Sequence, residues 1–298
     1  MIEINGISKT YGTKRVLENV TFTAENGYVT GFVGPNGAGK STTMRMVAAI
    51  ENPDNGTSLI DGRPFSKSDA PAQTMGVYLG GDYLPQNMTG AAFLAYVCKS
   101  GDIPHENIAP LLEMVQLTGA ADRKISSYSL GMKQRIGLAA AIAGNAGNLM
   151  LDEPVNGLDP AGVQWLRALI RGQADAGKAV LLSSHLLSEL ELVADKVVML
   201  DQGRIIRQGM IKDLEADKVR KIAIHTSNDA KLARYLTKKG VRVDQLEDHI
   251  VVYGAAPHKM ARAIVNNGLD LYLLEEKHES LEEMFMNLTD VEGAGNVR

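Results

Sequence analysis

A phosphate-binding loop pattern lies near the start of the chain. The residues that fit the pattern GxxxxGK[ST] are Gly34, Pro35, Asn36, Gly37, Ala38, Gly39, Lys40, Ser41 and Thr42. They follow a short apolar segment, Tyr28–Val33, and the chain from Thr42 to Ile50 carries apolar residues at helical spacing. Glycines let the backbone amides converge on one centre, and the following helix adds the positive end of its dipole. This strand–loop–helix context predicts a triphosphate-binding site.

Two side chains of this loop carry specific chemistry. Lys40 would reach the β and γ phosphates of the nucleotide, and the Ser41 hydroxyl would complete the ligand shell of a magnesium ion. An ordinary glycine-rich turn needs neither a lysine nor a hydroxyl at the head of a helix. The pattern therefore favours a nucleotide site over a simple turn.

An acidic pair and a histidine follow two later apolar strands. Asp152 and Glu153 come directly after Leu149–Leu151, where a P-loop sheet presents its ligand edge. There Asp152 would hold magnesium through water, and Glu153 would serve as general base for the attacking water. His185 follows the predicted strand Ala179–Ser183. Singly, the acidic pair is also typical of a helix cap and the histidine of a structural role, but together with the loop they favour nucleotide hydrolysis.

Three further segments gain meaning only beside these motifs. Tyr11 comes just before a strand and could stack on an adenine ring or simply close a strand end. The segment Tyr128–Arg135 places a serine and a glycine at the start of a helix, where amides could bind a second phosphate or where the serine is only an N-cap. Asn156–Pro160 predicts a tight turn.

Composition limits the class of protein. The chain has 298 residues, 45% of them hydrophobic and 22% charged, which indicates a large globular domain with a smaller appendage. Its net charge of -4 argues against a dedicated nucleic-acid binder. The single cysteine, Cys98, cannot form an internal disulfide, and the N-terminus does not resemble a signal peptide, so a cytoplasmic location is expected. No run of about 18 apolar residues occurs, so a membrane role would need a partner.

The order of predicted elements defines an α/β fold with two additions. Met1–Ser8 and Val16–Ala24 alternate like antiparallel strands, and the chain around Thr57–Ile60, with turns on both sides, predicts a hairpin. From Pro71 to Asn145 the character is mostly helical. The predicted helices are Gly90–Ser100, Asn107–Leu117 and Leu130–Ile142.

Beyond Asp217 the pattern changes to strands and helices in the order βαββαβ, which is ferredoxin-like. The segments are Lys221–Thr226, Asp229–Lys239, Val241–Leu246, His249–Tyr253, Pro257–Asn267 and Leu269–Glu275. An amphipathic helix, Ser280–Leu288, and a frayed tail, residues 290–298, are predicted after them. No residues in this part have the spacing of metal or catalytic ligands.

Taken together, the motifs resemble the nucleotide-binding subunit of an ABC transporter over residues 1 to about 215. The resemblance implies ATP and Mg²⁺ as cofactors, with residues 34–42 as Walker A, Asp152 and Glu153 at the end of Walker B, and His185 as the switch histidine. It makes Tyr11 the adenine-stacking aromatic. It also implies that the signature of one subunit and its crossing loop complete the ATP site of another. The residues concerned are Ser129, Gly131, Gln134 and Asp159.

Two positions depart from the family pattern. The signature usually reads LSGGQ, whereas this chain has Tyr128, Leu130 and Met132 in place of the leucine, the first glycine and the glutamine. Because Ser129 and Gly131 are kept, the signature contacts to the γ-phosphate are expected to survive. The glutamine that in the family links magnesium to the helical subdomain should fall near Gly80, where this chain has no glutamine. Gln86 is one candidate substitute. Its alternative role is to cap or solvate the helix that begins near Thr89. The missing glutamine is expected either to alter the coupling of hydrolysis to transport or to leave that coupling to other residues.

The resemblance predicts an ATPase domain over residues 1–217, with its helical subdomain at about 85–145, and an accessory domain over 218–289. The expected function is ATP hydrolysis by a homodimer or heterodimer of cassettes. It would power a separate integral membrane permease, from the inner face of the cell membrane, in export of a drug, peptide or lipid. The alternatives are a soluble ABC ATPase unconnected with transport and a weakly hydrolysing regulatory subunit.

Overall fold

Two units make up the chain, Met1–Ile211 and Lys212–Arg298. The computed structural model describes residues 1–216, 220–277 and 282–285. The strands of the first unit are β1 (Ile2–Tyr11), β2 (Lys14–Ala24), β3 (Val29–Val33), β4 (Asn55–Ile60), β5 (Met75–Tyr78), β6 (Asn148–Leu151), β7 (Ala179–Ser184), β8 (Lys196–Asp201) and β9 (Arg204–Met210). The helices are α1 (Lys40–Val47), α2 (Pro71–Thr74), α3 (Gly90–Ser100), α4 (Ile108–Met114), α5 (Leu130–Ile142), α6 (Pro160–Asp175), α7 (Leu187–Glu191) and, at the division, α8 (Ile211–Ala216).

A six-stranded sheet in the order β5-β6-β7-β3-β8-β9 brings the motifs to one edge. All neighbouring pairs in it are parallel except β8 and β9. Its central strands are buried on both faces and consist largely of Val, Leu and Met, as expected for a parallel sheet covered on both sides. Val33 pairs with Ser184, and Leu151 pairs with Leu182, so the carboxyl ends of β3, β6 and β7 lie side by side.

A three-stranded antiparallel sheet in the order β2-β1-β4 covers the P-loop helix. Phe22 of this sheet and Phe32 of β3 lie with their ring centroids 4.9 Å apart, and the same core holds Met44 of α1. The hairpin predicted around Thr57–Ile60 is reduced to one antiparallel bridge between Ile60 and Arg63, and the ladder of β4 is formed with β1, where Ile2 pairs with Ile60. Alternation identified the strand, but it carries no information about a partner strand that is distant in the sequence.

The helical subdomain contains the three predicted helices. Two of them have the predicted bounds, Gly90–Ser100 and Leu130–Ile142, whereas the third begins later and ends earlier, as α4. The subdomain is bound to α6 by Trp165, whose indole nitrogen donates to the Met114 carbonyl at 3.1 Å and whose ring lies 5.0 Å from the Arg135 guanidinium. Cys98 of α3 is buried in the subdomain, and burial raises the pKa of its thiol.

The second unit has its own sheet and core. Its elements are β10 (Lys221–Thr226), α9 (Asp229–Lys238), β11 (Val243–Gln245), β12 (Ile250–Tyr253), α10 (Pro257–Asn266) and β13 (Leu271–Lys277). The sheet order is β11-β12-β10-β13, and all of its pairs are antiparallel. The core is formed by apolar residues of β10 and β12 and of both helices, among them Ile222, Leu232 and Ile264.

Two predictions for the C-terminus fall largely outside the described residues. Residues 282–285, within the predicted helix Ser280–Leu288, are helical, and the rest of that helix lies outside the described residues. The predicted tail, 290–298, also lies outside them. In the part of the chain that the structure describes, no helix has the length and apolar character needed to cross a membrane.

Candidate nucleotide-binding site

Helix α1 places Lys40 at the base of the phosphate-binding loop. Gly39 caps the helix with a left-handed backbone (φ 112°), which a side chain would disfavour. Lys40 is only 5% exposed, and its ammonium donates to the Gly34 carbonyl at 2.7 Å and the Pro35 carbonyl at 3.4 Å. The lysine is thereby held inside its own loop with its charge at the helix N-terminus.

A chain of polar side-chain contacts runs from this lysine across the sheet edge. The Lys40 ammonium lies 3.3 Å from Glu153 Oε1, and the other Glu153 oxygen lies 2.8 Å from His185 Nδ1. Lys40 follows β3, Glu153 follows β6 and His185 follows β7, so three parallel strands deliver these three groups to one place. A carboxylate held between a cation and an imidazole is oriented on both sides, and such a carboxylate can act as a general base for a water within hydrogen-bond reach.

Ser183 joins the two acidic residues and was missed by the sequence interpretation. Its hydroxyl donates to Asp152 Oδ1 at 2.5 Å, and the Glu153 amide donates to the same hydroxyl at 2.9 Å. Glu153 has φ 47°, a left-handed backbone uncommon for a non-glycine residue, and the Ser183 contact supports that turn. The signal for Ser183 was its place at the end of a strand that neighbours β6, but the pairing of the two strands is not visible in the sequence.

A cavity of about 450 Å³ opens between the loop and these groups. Its lining residues are Tyr11, Lys14, Val16, Asn36, Gly37, Gly39, Lys40, Ser41, Thr42, Glu153, Asn156 and His185. The sequence interpretation named most of them but missed Lys14, Val16 and Asn156. Of the predicted loop residues, Gly34, Pro35 and Ala38 are not among the lining residues, and Asp152, 8% exposed, lies behind the wall against Ser183.

Tyr11 lies at the end of β1 and contributes to the rim of the cavity. Its hydroxyl donates to a carboxylate oxygen of Glu51, a contact that the sequence interpretation did not include. Burial raises the pKa of the Tyr11 phenol, and the hydrogen bond to Glu51 raises this pKa further. The ring itself is 44% exposed, so its surface is available to a ligand.

The predicted signature residues and Asp159 do not line this cavity. Ser129 caps α5 by accepting from the Met132 amide at 3.3 Å, and Asp159 caps α6 by accepting from the Gly162 amide at 2.9 Å. Gln134 is 4% exposed, and its side-chain nitrogen donates to the Asn156 carbonyl at 2.5 Å. The signature helix and the turn that ends in Asp159 are thus fastened to each other.

The region that lacks the family glutamine has a distinctive backbone. Gly80 has φ 105° and ψ 160°, a conformation available essentially to glycine. The backbone of Gly81 has no such constraint. A Cβ added at Gly81 would lie 3.5 Å from Lys133 Cβ, which is an ordinary contact distance. Gln86 does not line the nucleotide cavity, and its amide nitrogen donates to the Leu84 carbonyl at 2.9 Å. The helix cap near it is Thr89, which accepts from the Ala92 amide.

The fold and the site together define a P-loop nucleotide-binding cassette. A glycine-rich loop leads from a central parallel strand into α1, and an acidic pair follows the strand β6 of the same sheet. An antiparallel sheet covers one side, and a helical insertion lies between β5 and β6.

Comparison with known proteins identifies the family. Residues 17–156 match the family described as ABC transporter. The chain is 32% identical to the uncharacterized ABC transporter ATP-binding protein YcbN of Bacillus subtilis, covering 97% of this chain and 96% of that protein. It is 30% identical to the Nod factor export ATP-binding protein I of Burkholderia lata, covering 97% of this chain and 96% of that protein. A dimeric structure of MJ0796, a bacterial ABC transporter cassette, superposes with a TM-score of 0.64 at 23% identity, covering 71% of this chain and 99% of that one.

The chain therefore belongs to the ATP-binding subunits of ABC transporters, and it is an ATPase. Cassettes of this family bind ATP, dimerise and work with membrane permeases. The family assignment extends through the second unit, because the relatives align over 97% of the chain.

Proposed function

We propose that the chain binds ATP with Mg²⁺ in the cavity around Lys40 and hydrolyses it to power export through a separate membrane permease. The observation that carries the proposal is the oriented series Lys40, Glu153 and His185 at one sheet edge beside the P-loop. Export is favoured because a relative aligned over nearly the whole chain is named for export. The cargo would be a drug, peptide or lipid.

The donor set at the cavity fits a hard cation. Magnesium prefers oxygen ligands and is usually held by one or two protein groups together with substrate phosphates. Ser41 offers a hydroxyl in the cavity wall, and Asp152 offers a carboxylate that is fixed by Ser183. Ser41 and Asp152 would hold the ion, Asp152 through water, and the bound ion would neutralise charge on the phosphates.

Glu153 is the proposed general base. Its carboxylate would accept a proton from the attacking water, while His185 keeps the carboxylate in position and Lys40 offsets the charge of the β and γ phosphates. Asn36, Gly37 and Gly39 would present backbone amides to the phosphates. Tyr11 would stack on the adenine, since its exposed ring lies at the rim of the same cavity.

Two cassettes would complete each site. We infer from the family arrangement that Ser129, Gly131 and Asp159 of one subunit face the nucleotide in the cavity of the other; in their own chain they lie outside the cavity. Gln134 would act in this arrangement by holding the turn at Asn156, to which it is bonded. The partner would be a second copy of this chain or a related cassette.

The proposed permease contact is an apolar cavity of about 310 Å³ beside the helical subdomain. Its lining residues are Arg45, Ile50, Val77, Tyr78, Leu79, Gly80, Tyr83, Leu84, Phe93, Gly137 and Ala140. Ile50 and Tyr83 are among the large apolar side chains that remain exposed. A helix of a membrane subunit could bury these residues, which would place the chain on the inner face of the membrane.

The second unit is proposed to be a ferredoxin-like accessory domain, with the ATPase domain ending near residue 217. Its strand order and antiparallel pairing support this assignment. A domain of this kind would modulate or dimerise the cassette. Its residues are not part of the proposed catalytic site.

Two measurements test the proposal. Purified protein should hydrolyse ATP only with a divalent cation, and Glu153→Gln protein with ATP should elute as a dimer in size-exclusion chromatography. Pull-down from detergent-solubilised membranes should recover an integral membrane protein, and cross-linking from Tyr83, Leu84 or Phe93 should reach it. Recovery of ribosomes or DNA instead would support a soluble ABC ATPase, and contacts confined to residues 220–277 would refute the proposed docking face.

A second candidate function, a regulatory subunit with weak turnover, is supported by one observation. The position of the family glutamine holds Gly80 and Gly81, and the side chain of Gln86 donates to the Leu84 carbonyl and does not line the cavity. Measured turnover of the chain with its permease would separate the two. A rate that stays low under saturating ATP and full assembly would favour the regulatory role.

A further inference from the structure

Helix α1 connects the phosphate loop to the side chain that contacts Tyr11. The helix begins at Lys40 and ends at Val47, and Ala49 then adopts a left-handed backbone with φ 56°. The amides of Ile50 and Glu51 both return to the Arg45 carbonyl, at 2.9 and 3.3 Å. This compact turn fixes Glu51 relative to the helix.

Charged neighbours fix the Glu51 carboxylate from two sides. The Lys9 ammonium lies 3.7 Å from Glu51 Oε1, and the Arg45 guanidinium lies 3.9 Å from Glu51 Oε2. The Glu51 side chain is 19% exposed, so its movement is also limited by packing. Oε1 is the oxygen that accepts the Tyr11 hydroxyl.

Lys9 also determines which face of the Tyr11 ring is free. Its ammonium lies 5.4 Å from the ring centroid and donates to the Asn52 carbonyl at 2.6 Å. Lys9 is not among the residues that line the nucleotide cavity, whereas Tyr11 is. The ring face opposite Lys9 is therefore the face left for a flat ligand.

We propose that Glu51 is a positioning residue that holds the Tyr11 ring for stacking on the nucleotide base. Helix α1, which begins at Lys40 and leads to Glu51, would then set the distance between the phosphate site and the base site. The inference rests on the proposed role of Tyr11 in ATP binding. The Tyr11 phenol is protonated at neutral pH, so it can act as the donor to Glu51.

The test compares ATP with inorganic triphosphate, both with magnesium, as ligands of the full chain. Tyr11→Ala should weaken ATP about tenfold, as expected for a lost base–aromatic stack, and leave triphosphate unchanged. Tyr11→Phe and Glu51→Ala should each weaken ATP about fivefold, equivalent to one hydrogen bond, also without effect on triphosphate. The double variant Tyr11→Phe/Glu51→Ala should bind ATP no more weakly than either of its single variants, because both substitutions remove the same contact.

Two further variants separate positioning from a general structural effect. Glu51→Gln keeps an acceptor oxygen and should restore most of the ATP affinity. Asp54→Asn removes the charge of the other acid near Lys9, 3.5 Å from its ammonium, but keeps an oxygen for the Thr10 amide, and it should leave ATP affinity unchanged. In ATP hydrolysis, Glu51→Ala should raise KM with kcat nearly constant, since stacking contributes equally to the ground and transition states.

The outcomes distinguish the inference from the proposed function. If Tyr11→Ala leaves ATP affinity unchanged, the adenine-stacking role of Tyr11 fails. If Tyr11→Ala weakens ATP but Glu51→Ala and Tyr11→Phe do not, only the positioning role of Glu51 fails. Additive effects in the double variant, or equal losses for ATP and triphosphate, would also overturn that role.

Discussion

The cavity side and the signature side of the nucleotide site are built differently. In the cavity, Lys40, Glu153 and His185 contact one another directly, although they come from three strands far apart in the sequence. On the signature side, Ser129 and Asp159 are bonded to backbone amides of their own helices. In the first arrangement the reactive side chains orient one another, and in the second the side chains stabilise the ends of helices. In the proposed two-cassette arrangement, one chain would bind nucleotide, and hydrolysis would also need the signature surface of a second chain.

The largest expected effect on ATP binding comes from the centre of the cavity. Lys40→Ala should lower ATP affinity by at least about a hundredfold, since it removes charge-assisted hydrogen bonds worth about 1.5–3 kcal/mol each. Isothermal titration with ATP and magnesium measures this change. Lys14→Ala removes a lysine elsewhere on the same cavity wall and serves as the matched control. If the control loses as much affinity as Lys40→Ala, the cavity would bind phosphate by net charge alone.

Glu153→Gln should separate binding from hydrolysis. The variant keeps the shape of the side chain but not its basicity, so turnover should fall about 10²- to 10⁴-fold with ATP binding retained. His185→Ala should bind ATP equally well and lose less turnover, because it only frees the carboxylate that it orients. Phosphate release and equilibrium binding are measured on the same samples. Equal loss of binding in the Lys40, Glu153 and His185 variants would contradict the division of roles.

A smaller effect is expected from the contact that fastens the signature helix to the turn before α6. Gln134→Ala removes the donor to the Asn156 carbonyl and leaves that carbonyl without it, at a cost of about 1–3 kcal/mol. Turnover of the assembled dimer should fall about tenfold, which corresponds to about 1.4 kcal/mol. ATP binding by one chain should stay unchanged. Lys133→Ala, on the same turn of α5, is the control. A loss of ATP affinity in Gln134→Ala would show that the two sides are not independent.

The smallest effect is expected where the family glutamine is absent. Gly81→Gln adds that side chain at a position with an ordinary backbone, whereas Gly80→Gln would also force a strained conformation at φ 105°. ATP affinity should change less than about twofold in Gly81→Gln, because magnesium readily keeps water in place of a protein ligand. Stimulation of hydrolysis by the permease should change. If Gln86→Ala loses as much magnesium-dependent turnover as Asp152→Ala, Gln86 would be the ligand instead.

Local patterns predicted most elements, and contacts between distant segments were not predictable. The bounds of α3, α5 and β10 match the prediction because apolar periodicity and caps such as Ser129 are local signals. The ladder of β4 with β1 was not predicted because strand pairing is a property of the whole sheet. Ser183 and Glu51 were missed for the same reason, since each acts on a residue 30 or more positions away. The motifs identified the chemistry, and the structure adds the residues that hold it.

The buried cysteine gives the protein a practical property for such experiments. Cys98 is the only cysteine in the chain, and it lies within α3 at 1% exposure. Because burial raises the pKa of its thiol, little of the reactive thiolate is present at neutral pH. A cysteine introduced in place of Tyr83 or Phe93 would be the single reactive thiol of the folded variant. Spin labels, fluorophores or maleimide cross-linkers could then be attached at a chosen site without first removing a native residue.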